Sequence, residues 1–207
     1  MTDSPQELIR AIEQADSPGR LVASVRALAA ARLEAGIPIL IAALGYNNPG
    51  AAVAAVEGLI QMGEAAVQPL LEKLDGYDYG ARAYAIRALA AIADPRALDI
   101  LVEAAATDFA PSVRRAAAKG LGNLRWHQLS VDQIQSALAR ASETLLLISQ
   151  DPDWAIRYAA VVGLQALSSQ LEVLPSIQKR LEEMAQDNDS AVRARVQLAH
   201  QSLVISH

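Results

Sequence analysis

The 207-residue chain has no cysteine, few aromatic side chains and no excess of positive charge. Without a thiol there can be no disulfide, no cysteine-ligated zinc or iron–sulfur site and no cysteine nucleophile. Phe, Trp and Tyr together make up only 4% of the residues. The 18 Lys and Arg against 23 Asp and Glu give a net charge of −5, which offers no support for non-specific binding to nucleic acid or anionic lipid.

Long hydrophobic runs are also missing. The apolar run over residues 37–44 contains Pro38 and is far shorter than the roughly 20 residues that span a bilayer. The first ten residues carry Asp3, Glu7 and Arg10 and do not have the pattern of a signal peptide. We therefore expect a cytoplasmic protein.

Alanine and leucine dominate what is present. The chain has 42 Ala and 27 Leu, one third of all residues, and both are strong helix formers. A sheet protein would draw its apolar content from Val, Ile, Thr and aromatics instead. The composition predicts helices packed on helices and no strand.

An internal repeat runs along the chain. In segments 113–121 and 156–164, an apolar residue and an arginine are followed by Ala two and three places after the arginine, Gly six places after and Leu seven places after. The same register marks six anchor positions: Leu21, Ala52, Arg82, Arg114, Arg157 and Arg193. This spacing predicts two helices per unit.

Helix starts support that count. Proline suits the first position of a helix, because the backbone N–H that it lacks would have no partner within the helix there. Five predicted starts pair a capping side chain with such a proline: Ser4-Pro5, Ser17-Pro18, Asn48-Pro49, Asp94-Pro95 and Asp151-Pro152. We predict about twelve helices, over residues 5–15, 18–34, 37–45, 49–62, 64–75, 79–93, 95–106, 110–125, 130–149, 152–168, 170–186 and 189–205.

The repeat resembles the HEAT family of α-solenoids, most clearly over residues 78–164. The resemblance implies an all-α fold, an α-solenoid of about six HEAT-like helix pairs, in one domain over residues 1–207. In such folds each helix pair leaves an apolar face that its neighbour covers.

The repeated arginines have a structural interpretation. Each follows an aspartate by a few residues, so we interpret Arg114, Arg157 and Arg193 as rungs of an Arg–Asp ladder between neighbouring repeats and exclude them from any site. Side chains one, four and five places after the anchor should instead point to the open inner face. Arg115 and Tyr158 lie at plus one, and Glu57, Arg87 and Lys119 at plus five.

One segment exceeds what stacking requires. Residues 75–87 contain three of the five tyrosines, two aspartates and two arginines. Tyr84 stands at a register position where Ala116 and Ala159 stand in other units. Tyrosine rings offer stacking area and arginines fork onto carboxylates, so this set suits a flat, conjugated, dianionic ligand. Trp126 and Trp154 are interpreted as repeat packing, with an extension of this surface as the alternative.

A closer resemblance rests on segments 77–84, 93–98 and 108–122. They are similar to the smaller, F-type subunit of the E/F-type phycobilin lyases of cyanobacteria. That resemblance implies a heterodimer with the larger E-type subunit, which attaches phycocyanobilin through a thioether to a cysteine of the phycocyanin α subunit. The related isomerising subunit carries a His-Cys motif, so the absence of cysteine points to a plain lyase.

The resemblance also suggests roles for individual residues. Asp78 is the candidate catalytic residue, which would hold the pyrrole nitrogens or donate a proton. The candidate bilin-binding residues are Tyr77, Tyr79, Arg82, Tyr84, Arg87, Arg115 and Tyr158. We expect no cofactor, with phycocyanobilin as substrate, and no metal site, because the three histidines are dispersed. A protein-binding HEAT scaffold and a factor that detaches phycobilisome chromophores remain as alternatives.

Overall fold

The computed structural model describes residues 4–74, 79–170 and 173–205, with side chains to residue 202. These ranges contain helices and no strand, so the all-α prediction is confirmed. The α-helices are α1 (Pro5–Glu13), α2 (Pro18–Ala31), α3 (Ile37–Ala43), α4 (Pro49–Met62), α5 (Glu64–Lys73), α6 (Tyr79–Ile92), α7 (Leu98–Thr107), α8 (Pro111–Gly122), α9 (Val131–Ile148), α10 (Trp154–Leu167), α11 (Leu174–Met184) and α12 (Ser190–Ile205). Short 3₁₀ turns precede α3, α7 and α9.

The chain divides into two compact units, Met1–Ile92 and Ala93–His207. In the first unit, α4 packs between α2 and α6, while α3 packs on α5. In the second unit, α10 packs between α8 and α12, while α9 packs on both α7 and α11. Each unit is therefore three helix pairs in two layers, as a helical repeat requires. The single domain predicted over residues 1–207 stays a prediction.

Three of the five predicted capping pairs, at Ser4-Pro5, Ser17-Pro18 and Asn48-Pro49, begin an α-helix. The Ser4 hydroxyl accepts from the backbone N–H of Glu7, whose carboxylate accepts from the backbone N–H of Ser4 at 2.8 Å. Asn48 caps α4 by accepting from the Ala51 N–H at 3.1 Å. These bonds satisfy donors that the first helical turn leaves without a partner.

The other two capping pairs do not begin an α-helix where predicted. Pro95 begins a 3₁₀ turn and α7 starts at Leu98. The predicted start at Asp151-Pro152 was wrong, because α10 begins at Trp154 and is capped by Asp153. Asp151 instead accepts a hydrogen bond from an arginine of the preceding helix pair, so its carboxylate is not free to cap the helix.

The core lies between the two helix layers of each unit. Its largest fully buried side chains are mainly leucines, which include Leu28, Leu40, Leu59, Leu101, Leu121 and Leu145. Small residues line the contacts within a layer, where a Cβ added to Gly58 on α4 would lie 2.6 Å from the Ala29 Cβ on α2. The high alanine content thus lets adjacent helices approach closely.

Candidate functional site

An ion-pair ladder joins neighbouring helix pairs in the second unit. The Arg114 guanidinium on α8 donates to the Asp151 carboxylate at 2.7 Å. Arg157 on α10 makes two such bonds to Asp187, at 2.7 and 2.8 Å. The structural interpretation of Arg114 and Arg157 is therefore confirmed. In each case the aspartate belongs to the following repeat, rather than to the residues just before the arginine.

The loops that carry these aspartates have a repeated Asp-x-Asp form. The first aspartate accepts the backbone N–H of the second at 2.9 Å, in both 151–153 and 187–189. The second caps the next helix: Asp153 accepts from the Ala155 N–H, and Asp189 from the Ala191 N–H. One loop thus receives the preceding repeat's arginine and starts the following helix.

The hydrogen bond from Arg157 lowers the pKa of Asp187 below its ordinary value, against the opposing effect of burial. The same bond raises the pKa of Arg157. Arg193 donates to the backbone carbonyls of Asp187 and Asn188, at 2.6 and 3.1 Å. Among the described residues Arg193 therefore also has a structural role, but it bonds to backbone carbonyls instead of a carboxylate.

A groove opens on the second unit beside this ladder. It has a volume of about 490 Å³ and is lined by α8, α10 and the start of α12. The lining residues are Arg115, Lys119, Trp154, Ala155, Tyr158, Ala159 and Ala191. Three of these residues stand one or five places after a repeat anchor: Arg115, Tyr158 and Lys119. Their predicted position on the inner face therefore corresponds to the groove.

Two glycines set the spacing of the groove walls. A Cβ added to Gly163 on α10 would lie 2.5 Å from the Ala118 carbonyl oxygen on α8, and a Cβ added to Gly122 would clash with the Gly163 backbone. The two backbones can approach this closely only because neither residue has a side chain. This contact holds α8 against α10, the helices that carry Arg115 and Tyr158.

The groove combines positive charge with aromatic surface. Arg115 and Lys119 form no ion pair with a carboxylate of the described ranges, whereas Arg96, Arg114 and others in the same unit are paired. Trp154 is 48% exposed, so its indole is available to a ligand. An unpaired cation beside a conjugated ring suits a flat anion, since the ring stacks and the cation attracts the charge.

The tryptophans have different roles. Trp126 is buried, as the packing interpretation predicted. For Trp154 the packing interpretation was wrong, because its ring lines the groove and is half exposed. No local signal in the sequence separates them, since the exposure of Trp154 depends on the approach of α8 and α12.

The remaining predicted site residues lie on the first unit. On α6, the Arg87 guanidinium lies 5.7 Å from the centre of the Tyr84 ring, a cation–π distance. Tyr79 begins the same helix and is 38% exposed, and Arg82 follows one turn later. Tyr77 and Asp78 lie outside the described residues. The structure therefore brings Arg115 and Tyr158 together in one groove and Tyr84 and Arg87 together on one helix.

The residues that the structure describes have neither a metal-binding cluster nor a membrane-spanning helix. No group of three or more His, Asp or Glu side chains is arranged there to hold a metal ion. None of the helices there combines the length and apolar character needed to cross a membrane.

The helix pairs, the Arg–Asp ladder and the aromatic, cationic groove together define a HEAT-like repeat protein with a groove suited to a flat anion. The family model for HEAT repeats matches residues 67–144, which agrees with the predicted repeat. The α-solenoid prediction is thereby confirmed.

Comparison with known proteins narrows this class. The chain is 60% identical to the phycocyanobilin lyase subunit beta of Nostoc sp. (strain PCC 7120), over 93% of this chain and 97% of that protein. It is 54% identical to the phycocyanin alpha phycocyanobilin lyase CpcF of Synechocystis sp. (strain PCC 6803), over 83% of this chain and 80% of that protein. The chain belongs to this family of phycocyanobilin lyase subunits.

A solved structure of the complex of CpcE and CpcF of phycocyanin lyase from Nostoc sp. PCC 7120 is similar as well. One of its chains matches with 62% sequence identity and a TM-score of 0.76, over 80% of this chain and 98% of that one. The resemblance drawn from segments 77–84, 93–98 and 108–122 is confirmed at the level of the family.

Proposed function

We propose that this chain is the smaller, F-type subunit of a heterodimeric phycocyanobilin lyase. With an E-type subunit it attaches phycocyanobilin through a thioether to a cysteine of the phycocyanin α subunit, in the cytoplasm and without a further cofactor. The observation that carries this proposal is the 60% identity to a phycocyanobilin lyase subunit over nearly the full length of both chains. The complex of CpcE and CpcF supports the choice of partner.

The reaction needs no thiol from the lyase, because the acceptor protein supplies it. Adding a thiol across a carbon–carbon double bond breaks the S–H bond and the π bond and forms one C–S bond and one C–H bond, so no oxidant or reductant is consumed. The lyase has to hold the extended tetrapyrrole, favour its protonation and exclude side reactions. Positioning and charge stabilisation by fixed side chains would perform this work.

The groove of the second unit supplies groups for that task. Arg115 lies where its guanidinium can bind a propionate carboxylate, and Tyr158 offers ring surface with a polar tip. The groove contains no carboxylate among its lining residues, so an anionic ligand meets no like charge there. We assign Arg115 and Tyr158 to bilin binding on this basis.

The α6 residues form the second part of the proposal. Tyr84 and Arg87 already make a cation–π pair, which keeps the guanidinium beside a ring. We assign Tyr79, Arg82, Tyr84 and Arg87, together with Tyr77, to bilin binding. Asp78 is proposed as the group that holds the pyrrole nitrogens or donates the proton, because a carboxyl group can perform either role.

Reconstitution tests the function. The chain is co-expressed with an E-type subunit, the phycocyanin α subunit and the enzymes that produce phycocyanobilin, and covalent bilin is detected by zinc-enhanced fluorescence on a denaturing gel. We expect a fluorescent α subunit that requires both lyase subunits, and none when the acceptor cysteine is replaced by serine.

The rival functions predict different results. A protein-binding scaffold would give no covalently bound bilin on the α subunit. A detaching factor would remove bilin from an α subunit that already carries it. Either result would overturn the proposal. As a residue-level test, Arg115→Gln should slow transfer, and Lys179→Gln on the exposed surface of α11 should leave it unchanged because it removes the same charge away from the groove.

A further inference from the structure

A third cation, Arg195, lies at the α12 side of the groove. Ala191 on α12 is one of the lining residues, and Arg195 follows it by four positions, so both side chains lie on the same face of the helix. Arg195 also lies close enough to Tyr158 for an electrostatic interaction between them. These two relations place its guanidinium next to the groove that α8 and α10 form.

The partner of Arg195 is a neutral amide. Its Nη2 donates to the Oε1 of Gln165, which lies two helical turns after Tyr158 on α10. No carboxylate of the described ranges forms an ion pair with Arg195, and burial lowers its pKa. A partly buried guanidinium keeps its charge, so it favours an anion that approaches from the groove.

The repeat register argues against a packing role. Arg195 stands two places after the anchor Arg193, where Ala116 and Ala159 stand in the two preceding units. Alanine satisfies packing at this position, since Ala159 is fully buried. The other departure from alanine at this register is Tyr84, which was singled out as a ligand-binding residue. A large cation at a position where stacking needs only alanine is better explained by a ligand.

We propose that Arg195 binds a carboxylate group of the bilin from the α12 side of the groove. Gln165 on α10 acts as a positioning residue that holds one end of the guanidinium by a hydrogen bond. In this arrangement the tetrapyrrole lies against Trp154 and Tyr158, with Arg115 and Lys119 on the α8 side. The inference rests on the proposed function, because it takes phycocyanobilin as the ligand.

Phycocyanobilin and its dimethyl ester, which lacks both carboxylate charges, test the assignment. The complex of the chain with its E-type subunit is titrated with phycocyanobilin and with its dimethyl ester, and binding is followed by the change in bilin absorbance. Arg195→Gln should weaken binding of the free acid by about 10-fold or more, the effect of losing a hydrogen bond between charged groups. The ester should bind the variant and the wild type equally, because it has no carboxylate for Arg195 to hold.

The controls separate this inference from the function itself. Lys179→Gln removes one positive charge from the exposed surface of α11 and should change neither affinity. Equal losses for acid and ester in Arg195→Gln would overturn the role of Arg195 while leaving the lyase assignment intact. If the wild-type complex bound neither ligand, the proposed function would fail as well. Should Arg195→Gln not fold, Gln165→Ala takes its place: loss of the bond that positions Arg195 should weaken binding of the acid and not of the ester, and an unchanged affinity for the acid would overturn the proposal.

Discussion

Replacing Gly163 with alanine should separate α8 from α10 and destabilise the second unit. The added Cβ would lie 2.5 Å from the Ala118 carbonyl oxygen and 2.7 Å from the Leu145 Cδ2. A leucine can change rotamer, but a carbonyl oxygen within a helix cannot move away without moving the helix. The two backbones must therefore move apart before the contact reaches the normal 3.4 Å.

Two opposing effects determine how much Gly163→Ala changes the free energy of unfolding. Alanine is favoured over glycine in a helix interior by about 1 kcal/mol, which would stabilise α10. Overpacking a tight contact costs about 1–3 kcal/mol, and this site is at the upper end because the obstacle is backbone. We expect a net loss of about 2 kcal/mol, which for a chain of this length lowers the melting temperature by about 4–8 °C.

Gly19 supplies the matched control. It lies in the first turn of α2, and an added Cβ there meets no atom within 4 Å. Gly19→Ala should therefore change stability by no more than about 0.5 kcal/mol. Both variants are compared by thermal unfolding followed by circular dichroism. Equal melting temperatures for Gly163→Ala and Gly19→Ala would refute the claim that the glycine contact fixes the helix spacing.

Three further predictions concern the ladder, the proposed catalytic residue and the groove. Asp187→Asn should lower the free energy of unfolding at pH 7 by about 1–3 kcal/mol, as measured by urea denaturation. Arg157 holds the pKa of Asp187 below its usual range, so the stabilisation by this ion pair is present above about pH 4 and is lost as the pH falls through the lowered pKa. The difference in stability between the variant and the wild type should therefore shrink in acid. A difference that stayed constant from pH 7 to pH 2 would contradict that linkage. Asp78→Asn should sharply reduce bilin transfer by the heterodimer with an unchanged circular dichroism spectrum, and an unaltered transfer rate would remove Asp78 from the mechanism. Trp154→Ala should weaken phycocyanobilin binding by about 3- to 10-fold in a spectroscopic titration. Val131→Ala, which alters another exposed apolar side chain, should leave the affinity unchanged. Equal affinities of Trp154→Ala and the wild type would show that the indole does not stack on the ligand.

The sequence predicted the helical architecture well because its signals are local. The capping pairs at Ser17-Pro18 and Asn48-Pro49 place helix starts correctly, since capping needs only residues within one turn. The register that groups Arg115 with Tyr158 also follows from helical periodicity. The ladder at Arg114 and Arg157 could be predicted because the repeat places equivalent residues side by side.

The failures come from long-range competition between side chains. At residues 151–153 either aspartate could cap α10, and the choice falls to Asp153 because Arg114, 37 positions earlier, binds Asp151. Arg195 was missed because its significance depends on Gln165, a partner on another helix. Exposure of Trp154 likewise depends on neighbouring helices, which composition and spacing do not specify.

The Asp-x-Asp loops couple the starts of α10 and α12 to the docking of the preceding helix pair. Asp151 binds Arg114 of the preceding pair and also orients the loop whose next aspartate starts α10, and Asp187 does the same between Arg157 and α12. A terminal helix pair that detaches therefore loses its inter-repeat bond and, with it, the contact that orients the loop before its second helix. In the language of one-dimensional cooperativity, this raises the nearest-neighbour coupling relative to the intrinsic stability of one repeat. The second unit should accordingly unfold as a single cooperative block rather than fray repeat by repeat from its C-terminal end.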